Sequence, residues 1–123
     1  MTSQAVSKQA AQLALGKKAF DVLALDLREV SPIADFFVIA SGHTDTHVRA
    51  ISDGIEQGLK RKKVRPWHVE GYANGHWVLL DFVEVVVHVF DEEIRKYYAL
   101  ERIWGDAPII EFRDEPKKHG PES

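Results

Sequence analysis

Between Thr44 and Lys62 the apolar residues Val48, Ile51, Ile55 and Leu59 recur at intervals of three and four, which places them on one stripe of an α-helix. A second stripe, Ala50, Gly54 and Gly58, repeats every fourth position. Each glycine lowers helix propensity by about 1 kcal/mol, so a close approach must compensate. Packing against a sheet within one subunit is the expected approach, ahead of a dimer seam. An Ala- and Leu-rich helix is predicted over residues 7–16, with Ser3 or Ser7 as N-cap and Gly16 as its stop. A last helix is predicted from Glu92 to Tyr98, capped by Asp91, with two glutamates where the helix dipole favours them.

Elsewhere the period changes from helical to extended. Phe20 to Leu27 alternates apolar with small or acidic residues, and Pro32 then keeps Ser31 out of helical space. Phe36 to Ala40 is a continuous apolar run ended by Ser41-Gly42, the pattern of a strand buried on both faces. Val64 to Glu70 reads as a short strand, and Gly71 to Gly75 carries Asn-Gly turn chemistry. Residues 76–81 and 84–90 form a hairpin around Phe82-Val83. The fold class is therefore α/β: a mixed five-stranded sheet with flanking helices in one domain spanning residues 1–106. Residues 107–123 turn to Asp, Glu, Lys, Pro and Gly and are expected to form a flexible tail.

Composition narrows the function classes. A chain of 123 residues is one domain, able to bury roughly two thirds of its unfolded surface. It has no cysteine, which excludes disulfides, cysteine zinc sites, iron–sulfur clusters and thiol catalysis and suits a reducing compartment. No apolar run approaches the roughly 18 residues of a membrane span. Residues 1–5 lack the order of a secretory signal or transit peptide, so a cytoplasmic location is expected. The net charge of −3 hides an asymmetry: Lys60, Arg61, Lys62, Lys63 and Arg65 cluster, whereas residues 81–115 carry ten acids against four bases, a net of −6.

Catalytic patterns do not assemble. His43 and His47 stand four apart with Asp45 between them, but a metal would need a third ligand from elsewhere, and solvated or capping roles are preferred. Gly16-Lys17-Lys18 lacks the upstream glycine and the hydroxyl of a phosphate loop. Glu70 and Asp81 stand alone on their segments, and no nucleophile-elbow sequence surrounds Ser41 to complete a triad with His88 and Asp81. No catalytic residue, metal or cofactor is expected. The basic run complements the dipole at a helix end; RNA contact, with Trp67 and Tyr72 stacking on bases, is the second reading. On the hairpin, Trp77, Leu79 and Asp81 share one face. Either a partner covers that face, or Trp77 and Leu79 are core and Asp81 belongs to the turn.

Six segments occur in order: Lys18 to Val22, Ala34 to Gly42, Glu70-Gly71, Trp77 to Phe82, Val86 to Phe90 and Arg95 to Trp104. Together they resemble the ribosomal silencing factor (RsfS, Iojap-like) family over about residues 8–106. The resemblance implies a nucleotidyltransferase-like fold without that activity, and no Asp-x-Asp pair follows Ser41-Gly42 here. It implies a translational repressor that binds the large ribosomal subunit through large-subunit protein fourteen (uL14) and sterically blocks joining of the small subunit when nutrients are short. It also implies a homodimer in the free state and a partner-binding surface of Trp77, Leu79, Asp81, Tyr98 and Glu101; for Trp104, packing of the last helix is preferred. Lys60, Arg61, Lys62, Lys63 and Arg65 remain candidates for peripheral ribosomal RNA contact. A residual nucleotidyltransferase and a free-standing RNA-binding module are the alternatives. The family commonly has glycine in the hairpin turn where this chain has Val83, and a β-branched residue at positive φ is costly. Another turn geometry is therefore expected.

Overall fold

A computed structural model describes residues 1–97 and 105–113. In chain order the elements are α1 (Ser3–Gly16), β1 (Phe20–Asp26), β2 (Phe36–Gly42), α2 (Asp45–Arg61), β3 (His68–Glu70), β4 (Trp77–Asp81), β5 (Val85–Asp91), α3 (Glu92–Tyr97) and β6 (Ile109–Phe112). The six strands form one sheet in the order β3-β4-β5-β2-β1-β6. Among them only β2 and β5, at the centre, pair in parallel; the other pairs are antiparallel. A parallel pair needs a long crossover, and α2, β3 and β4 supply it.

One face of the sheet presents Val22, Ala24, Phe36, Val38, Ala40, Val78, Leu80, Val85, Val87 and Val89, all buried with α1 and α2 in a single core. The predicted α2 stripe is the centre of that core: Val48, Ile51, Ile55 and Leu59 are fully buried. Thr44 caps α2 by accepting from His47 N–H at 3.1 Å, and Lys60 and Arg61 complement the dipole in its last turn.

Three local expectations change. The α1 cap is Thr2, whose Oγ1 accepts from Ala5 N–H at 3.1 Å. Ser3 instead donates to Asp35 Oδ2 at 2.8 Å, and buried Ser7 donates to Gln4 O. The two glycines of the α2 stripe make room for α1 and its C-cap, not for the sheet, while Ala50 is exposed: a Cβ on Gly58 would run into the Leu13 side chain of α1, and one on Gly54 would come within 2.7 Å of Lys17. The sheet has six strands, not five, because Ile109–Phe112 pairs with β1, with Ile110 opposite Ala24 and Phe112 opposite Val22. This edge strand is only four residues long, two of them exposed isoleucines, and the polar residues around it hide it in the sequence.

The hairpin turn is the fourth difference. Val83 does occupy the left-handed region, at φ 76°. Its side chain is 60% exposed, and the turn is closed by Val83 N–H to Asp81 Oδ1 (2.7 Å), Phe82 N–H to Val85 O (2.8 Å) and Glu84 N–H to Phe82 O (3.0 Å). Those bonds hold a conformation that costs an L-residue about 1–2 kcal/mol. Val83→Gly is expected to raise unfolding free energy by about 0.5–1 kcal/mol, the relief of strain less the greater unfolded-state freedom of glycine. Urea denaturation measures it, and a destabilised variant would contradict a strained turn. By contrast, Ile55→Ala is expected to cost about 2–5 kcal/mol by opening a cavity under α2.

Candidate functional site: the second face of the sheet

The opposite face is only partly covered. Register puts Trp77, Leu79 and Asp81 of β4 beside Phe90, His88 and Val86 of β5, which in turn lie beside Ser41, Ile39 and Phe37 of β2. Leu25, Leu27, Ile39, Phe90 and Ala107 form a small buried cluster there, with Leu23, Phe37, Trp77 and Ile94 packed around it and half-buried. α3 covers this side: Asp91 Oδ1 caps it by accepting from Ile94 N–H at 2.9 Å, and Arg95 donates to buried Ser41 Oγ at 2.6 Å. Along β4 the burial alternates, with Val78 and Leu80 inside and Trp77, Leu79 and Asp81 partly exposed.

Both readings of that strand therefore have a physical basis. Asp81 is a turn residue through its bond to Val83, yet its neighbours Trp77 and Leu79 are not closed into a core. Trp77 is fixed from beneath: its ring lies 4.8 Å from that of Phe90, and its Nε1–H donates to His88 Nδ1 at 3.2 Å. Since His88 Nδ1 accepts, Nε2 carries the ring proton. Nε2 is buried with no partner among the described residues. The Phe37 ring meets the imidazole edge-on at 4.8 Å. His68 and Glu70 on β3, 2.6 Å apart, make a polar rim beside Asp81 and Leu79.

The other sequence candidates separate from this face or from one another. Ser41, His88 and Asp81 share the face, but each is engaged elsewhere, with Arg95, Trp77 and Val83 respectively. His47 accepts from His43 N–H at Nδ1 and donates from Nε2 to Lys17 O at 2.8 Å, so neither ring nitrogen faces an ion. Asp45 turns to Arg49 at 3.0 Å, and that guanidinium holds its carboxyl below the usual range. Among the described residues no group of three acids or histidines is arranged for a metal. Tyr72, an exposed ring, is held through its hydroxyl, which donates to Asp53 at 2.9 Å. Lys60 and Arg61 end α2, and Lys62, Lys63 and Arg65 follow it before β3; all five are exposed, with Trp67 next along the chain. Tyr98, Glu101 and Trp104 lie outside the described residues. The sequence suggests His88 only as a triad member; its role under Trp77 depends on a diagonal contact across two strands that no local pattern encodes.

Burial lowers the His88 pKa to about 4, whereas an unfolded histidine titrates near about 6.5. The stability this neutral ring contributes is full above about pH 6.5 and is lost as pH falls toward 4, at no more than about 1.4 kcal/mol per unit. His88→Gln is expected to flatten the pH dependence of urea stability between pH 6.5 and 4.5 relative to the parent chain. Equal slopes would contradict a neutral buried imidazole.

Comparison with known proteins follows the same architecture. The sequence matches the family described as "Ribosomal silencing factor during starvation" over residues 1–123. It is 40% identical over 112 residues to ribosomal silencing factor RsfS of Bacillus subtilis, covering 91% of this chain and 95% of that one. A crystal structure of a Chromobacterium violaceum protein superposes with a TM-score of 0.82 at 30% identity, covering 95% of this chain and 92% of the other. The mouse protein named "Mitochondrial assembly of ribosomal large subunit protein 1" is 30% identical over 91 residues, 72% of this chain and 40% of its own length. With its whole length matched and its fold shared, the chain belongs to the ribosomal silencing factor family.

Proposed function

We propose that this chain is a non-catalytic translational repressor that works in the cytoplasm. It docks on the large ribosomal subunit, chiefly on large-subunit protein fourteen, and its bulk blocks joining of the small subunit, slowing translation under nutrient limitation. The observation that carries this reading is the partly covered sheet face, with Trp77 held rigid by Phe90 and His88 next to half-exposed Leu79. Family membership supports ribosome-associated regulation, and the name of the mouse relative points to the large subunit. A rigid aromatic with an adjacent aliphatic is the kind of anchor that dominates protein interfaces. The acidic stretch from 81 to 115, ten acids against four bases, favours a basic protein surface and speeds encounter with it. Tyr98 and Glu101 extend the same proposed contact, and the free chain is a homodimer.

Leu79→Arg changes the exposed side of β4 without touching the helical core. It is expected to weaken large-subunit binding at least 30-fold, about 2 kcal/mol, with an unchanged melting temperature, and to abolish the suppression of subunit joining in sucrose gradients. Asp81→Asn keeps the acceptor for Val83 and removes the charge. It is expected to weaken binding several-fold at low salt and to make it less salt-dependent. Co-sedimentation of both variants at parental affinity would refute this face as the docking surface.

A further inference from the structure

The end of α2 and the connection to β3 carry a feature that the sheet face does not use. Lys60, Arg61, Lys62, Lys63 and Arg65 supply five cations in six positions, all exposed, and among the described residues none of them is in an ion pair. The helix dipole accounts for Lys60 and Arg61, which lie in the last turn. It does not account for Lys62, Lys63 and Arg65, which lie at or beyond the cap. Nor is the segment a loose loop. Lys63 takes φ 65°, its N–H bonds Lys60 O, and Val64 N–H returns to Leu59 O at 2.9 Å, closing the helix end and holding the backbone from which the cations project.

Two residues further on, Trp67 is 78% exposed, more than any other large apolar side chain among the described residues. Its backbone is pinned, since Trp67 N–H donates to Asp81 O at 2.7 Å. That bond ties the Trp67 backbone to the turn end of the β4–β5 hairpin, at the edge of the docking face proposed above. Leaving an indole in water is unfavourable, and among the described residues its one ring neighbour is His68, at 6.0 Å and a tilt of 56°. Cations on a held backbone followed by an exposed aromatic plane suit a nucleic acid, whose phosphates pair with the cations and whose bases stack on the ring. An acidic protein could also cover the indole, and the RNA titration below separates the two occupants.

We propose that this edge is a second contact surface whose partner is RNA: Lys60, Arg61, Lys62, Lys63 and Arg65 hold backbone phosphates while Trp67 stacks on an unpaired base. The source is ribosomal RNA of the large subunit beside the protein docking site, so the inference rests on the function proposed above. The two surfaces have opposite electrostatics, acidic toward protein and basic toward RNA. Together they would fix the orientation of the bound chain as well as its position.

The test uses the full chain, purified large subunits and a 12-nucleotide single-stranded uridine RNA, each titrated from low to moderate salt. Lys60→Gln/Lys62→Gln/Arg65→Gln is expected to lower the salt slope of RNA binding by about 2, at roughly 0.7 for each phosphate no longer neutralised, and to weaken subunit binding. Trp67→Ala is expected to weaken both by roughly tenfold. Leu79→Arg should bind the 12-mer like the parent while losing the subunit, which separates failure of this inference from failure of the docking reading. Subunit affinities and salt slopes unchanged in the triple variant and in Trp67→Ala would overturn the RNA surface. A parent chain that does not bind the subunit at all would overturn the docking reading and the assigned RNA source with it.

Discussion

The parallel pairing of β2 with β5 is the constraint from which the rest of the structure follows. Both strands are nearly continuous apolar runs, and from Val85 to Phe90 every residue of β5 is buried. Such strands are stable only with cover on both faces. Because the pair is parallel, the chain must cross over between them, and the crossover carries α2 onto the same face as α1. That face is finished by the two helices. Among the described residues the second face is covered by α3 and the small cluster of Leu25, Leu27, Ile39, Phe90 and Ala107, which leaves Trp77, Leu79 and Asp81 half open. The candidate surface is thus what remains when one side of the sheet receives most of the helical cover.

Keeping that surface rigid has costs, and they lie close together. The imidazole of His88 is 5% exposed, and among the described residues its Nε2–H has no partner, a penalty of about 1–3 kcal/mol for a buried donor. In return its Nδ1 fixes the indole above it. Three residues beyond β4's Leu80, Val83 holds a backbone conformation that glycine would adopt more cheaply. Both strained features bear on the same β4–β5 hairpin. A structure selected only for stability would have no use for either, although Lys18, Asp21 and Lys63 also take positive φ outside the hairpin.

How much was legible in the sequence depends on whether the determining interaction is local. The α2 stripe and its Thr44 boundary, the doubly buried β2, the Asp91 cap and the alternation of Trp77, Leu79 and Asp81 all rest on neighbours within a few residues, and they stand in the structure as periodicity implied. The stripe of small residues was legible, but its partner was not, because helix and sheet make the same demand for space. β6 failed for a different reason. Its stability comes from pairing with β1, about 85 residues away in sequence, and four residues between polar segments give no period to count. At Val83 the intrinsic backbone preference is overruled by three turn hydrogen bonds, one of them accepted by an aspartate whose charge suggests a surface role alone.

Asp81 carries both roles, and this bears on how the two proposed surfaces work together. Its carboxylate closes the hairpin turn through Val83, its carbonyl holds Trp67, and its position completes the face begun by Trp77 and Leu79. One residue therefore joins an acidic, aromatic protein-facing surface to a basic edge with an exposed indole. A flexible link between them would let each surface bind its own partner independently. A hydrogen-bonded strand edge does not, so simultaneous engagement depends on whether a partner particle presents basic protein and RNA at a matching offset. That geometric demand gives selectivity beyond the affinity of either surface: RNA alone or a basic protein alone satisfies half of it, and a particle that carries both in the right register satisfies the whole.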